Sequence, residues 1–179
     1  RAKAFFLDLL VGLLYEHNEV TDKLLAVTGD EDFLIATGGF RFERLVETSS
    51  FWGSAMLEWQ GGWTDPDPLE MMKLGRFDAD EEWLLLKYDF YWTFYLEPLL
   101  FPTAWEDPKT PASSTLAHEI MLSVRGQDAC NNRLIPQHES VLGGLYTVRG
   151  YPEAVVAGDS MYVATAEYRF HLPRIFRPV

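Results

Sequence analysis

The sequence predicts an all-β fold, an antiparallel meander of six long strands that form part of a transmembrane β-barrel. Three observations predict it. Six segments alternate apolar and polar residues with a period of two, which gives a strand one face of each kind. The segments are longer than the usual soluble strand of about 5–6 residues and match the roughly 9–11 that cross a bilayer at a tilt. The connections between them run long, short, long, intermediate, long, and outer-membrane barrels alternate external loops with short turns in this way. The chain 1–179 reads as one partial barrel domain.

Each strand is expected from its own pattern. Residues 3–16 put Phe5, Leu7, Leu9, Val11, Leu13 and Tyr15 opposite Asp8 and Glu16, although Leu10 and Leu14 share the polar face. Residues 33–46 set Leu34, Ala36, Phe40 and Phe42 against Thr37, Arg41 and Glu43. Residues 51–60 set Phe51, Ala55, Leu57 and Trp59 against Ser54, Glu58 and Gln60. The clearest run is Leu84, Leu86, Tyr88, Phe90, Trp92, Phe94 and Leu96, with Lys87, Asp89 and Thr93 between them. Residues 115–127 oppose Leu116, Ile120, Leu122 and Val124 to Glu119, Ser123 and Arg125. Residues 160–172 oppose Tyr162, Ala164, Ala166, Tyr168, Phe170 and Leu172 to Thr165, Glu167 and Arg169.

Lys3, Arg44 and His118 are the polar exceptions on the apolar faces. Lys3 and Arg44 fall at strand ends, where lipid tolerates a charge far better than at the midplane, which costs about 2–4 kcal/mol. Aromatics near strand ends (Tyr15, Phe51, Trp59, Tyr162, Phe170) suit interfacial girdles. The connections are expected at 17–32, 47–50, 61–82, 98–114 and 128–158. Segment 98–114, with Pro98, Pro102, Pro108 and Pro111, is longer than a turn on that side should be, and nothing in the pattern accounts for it. Six strands cannot close in lipid, where an open edge leaves backbone groups unsatisfied and the smallest single-chain barrels have about eight. The chain therefore reads as an internal piece of a larger barrel.

Composition narrows the function. A net charge of −12 makes nucleic acid an unsuitable partner. No charge-free run is long enough for a spanning helix; the longest, Thr48 to Leu57, has about half of what is needed. A single cysteine, Cys130, excludes an internal disulfide framework. His17, His118, His138 and His171 lack metal-ligand spacing, and neither a nucleophile elbow nor a phosphate-cradling glycine loop is present. No enzyme activity, cofactor or metal is expected.

The glycine-rich stretch near the end of the chain carries a resemblance. Leu142-Gly143-Gly144, Thr147-Val148-Arg149-Gly150-Tyr151, Gly158-Asp159 and Glu167-Tyr168-Arg169 follow in the order of the lid-loop signature of the BamA/TpsB outer-membrane barrel superfamily. The preceding Gly126-Gln127, Leu134, Pro136 and Glu139 resemble more narrowly the TpsB branch, the two-partner secretion transporters often described as haemolysin activation and secretion proteins. That resemblance spans roughly residues 126–173; the rest of the chain matches in architecture alone.

The resemblance implies a barrel of about sixteen strands preceded by periplasmic POTRA domains, in the bacterial outer membrane. Its lid loop, here about 128–158, would tuck into the lumen with Val148 to Tyr151 at the tip. Arg149 would pair with an acidic wall residue from a later strand, which is not in this chain. The implied partners are a secreted exoprotein and the lipid bilayer, and export would use no nucleotide. Gly143, Gly144, Val148, Arg149, Gly150 and Tyr151 are the expected lid-loop residues.

Elementary chemistry agrees with that reading of the loop. An Arg inside a pore loses hydration and is favourable only with a carboxylate or several carbonyls around it. Glycines permit the positive φ and close backbone approach that a folded-in loop needs. Tyr146 and Tyr151 can pack their rings while their hydroxyls find partners. Asp8, Arg41, Glu43, Glu58, Lys87, Asp89, Glu119, Arg125, Glu167 and Arg169 are expected to face the lumen as mixed-sign pairs, a wall along which an unfolded chain could slide. Glu167 and Glu119 are the acids here that could stand in as partners of Arg149. Two other readings remain open: a BamA-like insertase, which shares the lid motif, and a soluble β-barrel or sandwich that binds an apolar ligand.

Overall fold

A computed structural model describes residues 4–24, 26–102, 116–144, 147–148 and 150–172. The expectations placed on Lys3, Tyr146 and Arg149, and on Pro108 and Pro111, lie outside the described residues.

The chain forms a six-stranded antiparallel sheet in the order β1-β2-β3-β4-β5-β8, with a separate two-stranded ribbon of β6 and β7. The strands are β1 (Ala4–Asp22), β2 (Val27–Val46), β3 (Ser49–Gln60), β4 (Trp83–Tyr95), β5 (His118–Asp128), β6 (Ser140–Leu142), β7 (Val156–Gly158) and β8 (Met161–Phe170). Two short helices interrupt the connections, α1 (Pro68–Lys73) and α2 (Glu97–Leu100). The fold is all-β and antiparallel, as the alternation predicts.

Register carries the two-faced pattern across the whole sheet. Leu9 lies opposite Phe40, Phe40 opposite Ala55, Ala55 opposite Tyr88, Tyr88 opposite Gly126 and Gly126 opposite Tyr162. Directly paired residues in an antiparallel ladder point to the same side, so these all belong to the apolar face. One residue along, Asp8, Arg41, Ser54, Asp89 and Arg125 form a single row on the other face. In that row the charged residues alternate in sign.

The apolar face carries no second layer among the described residues. Leu9 is 79% exposed and Val11 92% on the edge strand β1, and Trp59, Trp92 and Val124 are exposed in the middle of the sheet. The compact core lies on the opposite face at the loop end. There Phe33, Ile35, Trp83 and Leu85 are covered by Met71 and Leu74 of the 61–82 connection and by Ala129, Leu134 and Ile135. This adds to the expectation, which named only the polar residues of that face and Leu10 and Leu14 among them. Phe33, Ile35, Trp83 and Leu85 alternate in phase with the polar residues, and only the folded connections reveal that they are roofed over.

One boundary differs from expectation, and one connection found where expected holds a helix. Residues 17–32 do not form a loop: β1 and β2 continue as a paired ladder to Asp22 and Val27. In that part of the hairpin the face that was apolar turns polar, with His17, Glu19, Thr21, Thr28, Asp30 and Asp32, and the other face is mixed, so the apolar signal fades although the strands go on. The 61–82 connection contains α1, which begins at Pro68 and is capped by the Asp67 carboxylate accepting from the Leu69 N–H at 2.8 Å.

Gly39 fits so closely against β3 that a Cβ there would lie 2.3 Å from the Ala55 carbonyl oxygen, whereas a Cβ at Gly38 would meet nothing within 4 Å. Gly39→Ala is expected to destabilise the sheet by about 1–3 kcal/mol and Gly38→Ala to change little. Urea unfolding of the two variants side by side reads the difference, and equal midpoints would contradict the packing.

Candidate functional site

The loop between β5 and β8, residues 128–158, is held on the polar side of the sheet and is the best-built feature of the molecule. It leaves β5 through a tight bend in which the Asp128 carboxylate accepts from the Cys130 N–H at 2.8 Å. Cys130 and Asn131 both adopt positive φ, 51° and 68°. Asn132 then returns to the sheet, its side-chain oxygen accepting from the Leu84 N–H at 3.0 Å. Leu134 and Ile135 follow into the core at 0% exposure, and a 3-10 turn over Pro136–His138 leads into β6.

Arg76, from the connection before β4, ties this loop down. Its Nη1 donates to the Leu134 carbonyl at 2.8 Å and to Glu139 Oε1 at 2.6 Å, and also to Asp159 Oδ1. Its Nη2 donates to Asp159 Oδ2 at 2.9 Å, which makes the Asp159 contact a two-pronged fork. Asp159 in turn accepts from the Leu134 N–H at 3.0 Å. Burial alone would raise the Asp159 pKa, but the Arg76 and Leu134 hydrogen bonds outweigh it and hold the carboxyl below its ordinary range. The Asp159 hydrogen bond raises the already high pKa of Arg76, so the clamp is charged at any working pH.

A second tie uses Gln127 on β5. Its side-chain N–H donates to the carbonyls of His138 and Asp159 at 2.8 and 3.0 Å. His138 itself sits against the rings of Trp83 and Phe33, with centroids 5.1 and 6.4 Å away. Its Nε2 lies 3.6 Å from Glu16 on β1. Burial lowers the His138 pKa and prevails over the neighbouring Glu16 and Glu58, while Lys87 adds to the lowering.

The tip of the loop has the geometry its glycines demand. Gly143 has φ 122°, and a Cβ there would meet the Pro152 carbonyl at 2.3 Å, so no other residue fits without moving the backbone. The Thr147 hydroxyl accepts from the Gly143 N–H and donates to the Gly143 carbonyl, at 2.7 and 2.6 Å. The Tyr151 N–H donates to the Val148 carbonyl at 3.3 Å, and Gly150 has φ 94° in the turn so closed. Gly144 stays close by donating to the Tyr151 carbonyl at 3.1 Å. Arg149 lies outside the described residues.

Thr147 and Val148 bring the tip to the sheet. They line a hollow of about 660 Å³ together with Asp89, Arg125 and Glu167 on the polar face. The ten residues expected on the polar face share one face of the sheet. Asp89 is directly opposite Arg125, and Glu119 opposite Arg169. Lys87 donates to both oxygens of Glu58 at 2.9 and 2.8 Å, Glu119 meets the His171 ring at 2.6 Å, and Arg169 meets Glu167 at 3.2 Å. Asp8, Arg41 and Glu43 lie on this face too, two and one strands farther from the loop.

Arg76 is the site residue that sequence reasoning missed. Its partners Glu139 and Asp159 are in the motif series, but 83 positions separate Arg76 from Asp159 and no local pattern marks the pair. Among the described residues no cluster of side chains could hold a metal ion. No protein-family model matches the chain, and no match is found among curated proteins or solved structures.

Two outcomes follow from this geometry. Arg76→Ala leaves Asp159 and Glu139 without their cation and is expected to ease local opening of the loop by about 1–3 kcal/mol. Faster hydrogen exchange at β6 and β7, with β2–β4 unchanged, is the expected reading; equal exchange would show that the clamp holds nothing. A His with a lowered pKa in the docked state stabilises docking above its unfolded pKa, about 6.5, and loses that contribution as pH falls below it. The free energy of loop opening, taken from exchange rates corrected for their intrinsic pH dependence, should therefore fall as pH drops below about 6.5 in the native chain and not in His138→Phe.

Proposed function

We propose that this chain is part of the wall and lid of an outer-membrane β-barrel that exports a partner exoprotein, a transporter of the two-partner secretion type. One observation carries the reading. On the apolar face, an uncharged band runs from Phe5 to Tyr15 in β1, from Leu34 to Phe42 in β2 and from Leu84 to Phe94 in β4. At about 3.3 Å per residue and a tilt of about 40°, such a band is about 20 Å tall in β2 and about 25 Å in β1 and β4, close to the apolar band of outer-membrane barrels.

The rest of the molecule supports it. Carboxylates on that face appear beyond the band, with Asp30 and Asp32 beside His17 at the loop end. Trp59 and Trp63 pack edge to face there, 5.0 Å apart, and Trp92 and Phe94 form a second aromatic level at the turn end, 4.6 Å apart. A soluble sandwich or barrel would need a layer over this face, and α1 packs instead against the polar side. The loop 128–158 folds onto the charged face as a lid would, with its tip at Asp89, Arg125 and Glu167.

In this reading the Arg76 clamp and the packing of His138 on Trp83 and Phe33 fix the base of the lid, and Arg149 sets its tip. The alternating charges of the wall give a passing chain weak contacts of both signs and no deep well in which to stall. No nucleotide is needed, because folding of the exoprotein outside the cell gives direction.

Arg149→Ala in the full-length protein is expected to cut secretion of the partner severalfold while the barrel still assembles in the outer membrane. Secretion at the native level would refute the anchored lid. The full-length protein in a planar lipid bilayer should also conduct ions, and a silent bilayer would refute the conduit.

A further inference from the structure

Arg44 is the one cation on the apolar face of the sheet among the described residues. It stands two residues before the end of β2 and is exposed. Its ladder neighbours are Phe5 on β1 and Phe51 on β3, and the Phe51 ring packs on Phe42 with centroids 4.9 Å apart. Among the described residues its guanidinium makes no hydrogen bond and no ion pair. Glu43, its neighbour in sequence, points to the opposite face.

The register fixes its level. Arg44 is opposite Phe51 and Phe51 is opposite Trp92, so the cation lies in the same row as the turn-end aromatic belt. That belt continues across the sheet, where His118 packs on Phe170 at 4.9 Å and hydrogen-bonds the Tyr168 hydroxyl at 2.6 Å. Aromatic belts mark the plane where acyl chains meet headgroups. At the other end of the same face the charges are acids, Asp30 and Asp32 beside His17. The face is therefore polarised, with its lone cation at the level of one headgroup plane and its carboxylates at the other.

We propose that Arg44 binds the phosphate of a phospholipid headgroup at the turn end of the barrel, in a seat flanked by Phe5 and Phe51. This rests on the membrane reading above and adds a specific lipid contact to it. A planar guanidinium offers two parallel N–H donors to phosphate oxygens, and its stem lies along apolar rings while the head reaches the interface. A lysine would supply the charge without the fork. Neighbouring ladder positions on this side carry no carboxylate that could take the place of the phosphate.

Native mass spectrometry of the full-length protein, released from detergent with added phosphatidylethanolamine, tests the seat. The native chain should retain one phospholipid more than Arg44→Gln, whose apparent affinity should fall roughly tenfold. Arg44→Lys should recover part of the loss and also serves as the folding control. Equal retention by the native chain and Arg44→Gln would overturn the proposal. So would equal retention of diacylglycerol, which lacks the phosphate, or displacement of the lipid by millimolar inorganic phosphate, which would indicate a free-anion site. Flotation with vesicles of phosphatidylethanolamine and phosphatidylglycerol separates the two levels of failure. If neither protein floats, the membrane reading and the seat fall together; if both float and retain lipid alike, only the seat falls.

Discussion

Register is the constraint on which the rest of this structure depends. With a side-chain period of two, a slip of one residue in any ladder would move every side chain to the other face. Asp8, Arg41, Asp89 and Arg125 would then stand among Leu9, Phe40 and Trp92. Several local features keep the strands from slipping. The row Asp8–Arg41–Ser54–Asp89–Arg125 places opposite charges side by side in two of its pairings. The Ser50 and Thr93 hydroxyls meet at 2.6 Å across β3 and β4, and Lys87 reaches Glu58 across the same pair of strands. At the turn end the Tyr95 N–H closes on the Thr48 carbonyl at 3.0 Å, so the β2–β3 turn is tied to the next strand as well.

Once register is set, the polar face divides into two regions with different physics. Its middle is a charged wall open to solvent, and its loop end is a packed core. Within the 128–158 connection, ion pairs that are partly desolvated return little net energy, so Leu134 and Ile135, fully buried against Phe33, Trp83 and Leu85, supply the adhesion. The Arg76 fork supplies direction, since its oxygen partners accept only one arrangement of the 134–139 and 159 backbone.

Much of the sheet was legible in the sequence because its signal is periodic and local. Leu84 to Leu96 predicts β4, found at Trp83–Tyr95, and each of the other long strands overlaps its predicted range. The faces followed directly, including the placing of Lys87, Asp89, Glu119, Arg125, Glu167 and Arg169 together. The signal failed where alternation stops but pairing continues, as in His17 to Asp22 against Val27 to Asp32. It failed again where apolar residues share a phase with polar ones, so that Phe33 and Ile35 could not be told from solvent-facing positions. The glycines of the loop were readable because positive φ is a demand on residue type, seen at Gly143, Gly144 and Gly150. Arg76 was not readable, because a contact across 83 positions leaves no mark on the residues around it.

The edges of the sheet add a last constraint, and it bears on which solvent the apolar face meets. β1 presents an unpaired rim over Ala4–Asp22 among the described residues, and its apolar side chains are the most exposed of the sheet, with Val11 at 92%. In water a long, flat, hydrophobic edge of this kind is an invitation to aggregate, and soluble proteins blunt such edges with charge, proline or a bulge. None of these interrupts β1 between Leu9 and Tyr15. In lipid the same rim would leave backbone groups unsatisfied, at a cost that only further strand pairing removes. Both media thus call for another strand along β1. A face whose Leu, Phe and Trp residues stay uncovered once that strand is in place is what the proposed acyl environment asks for.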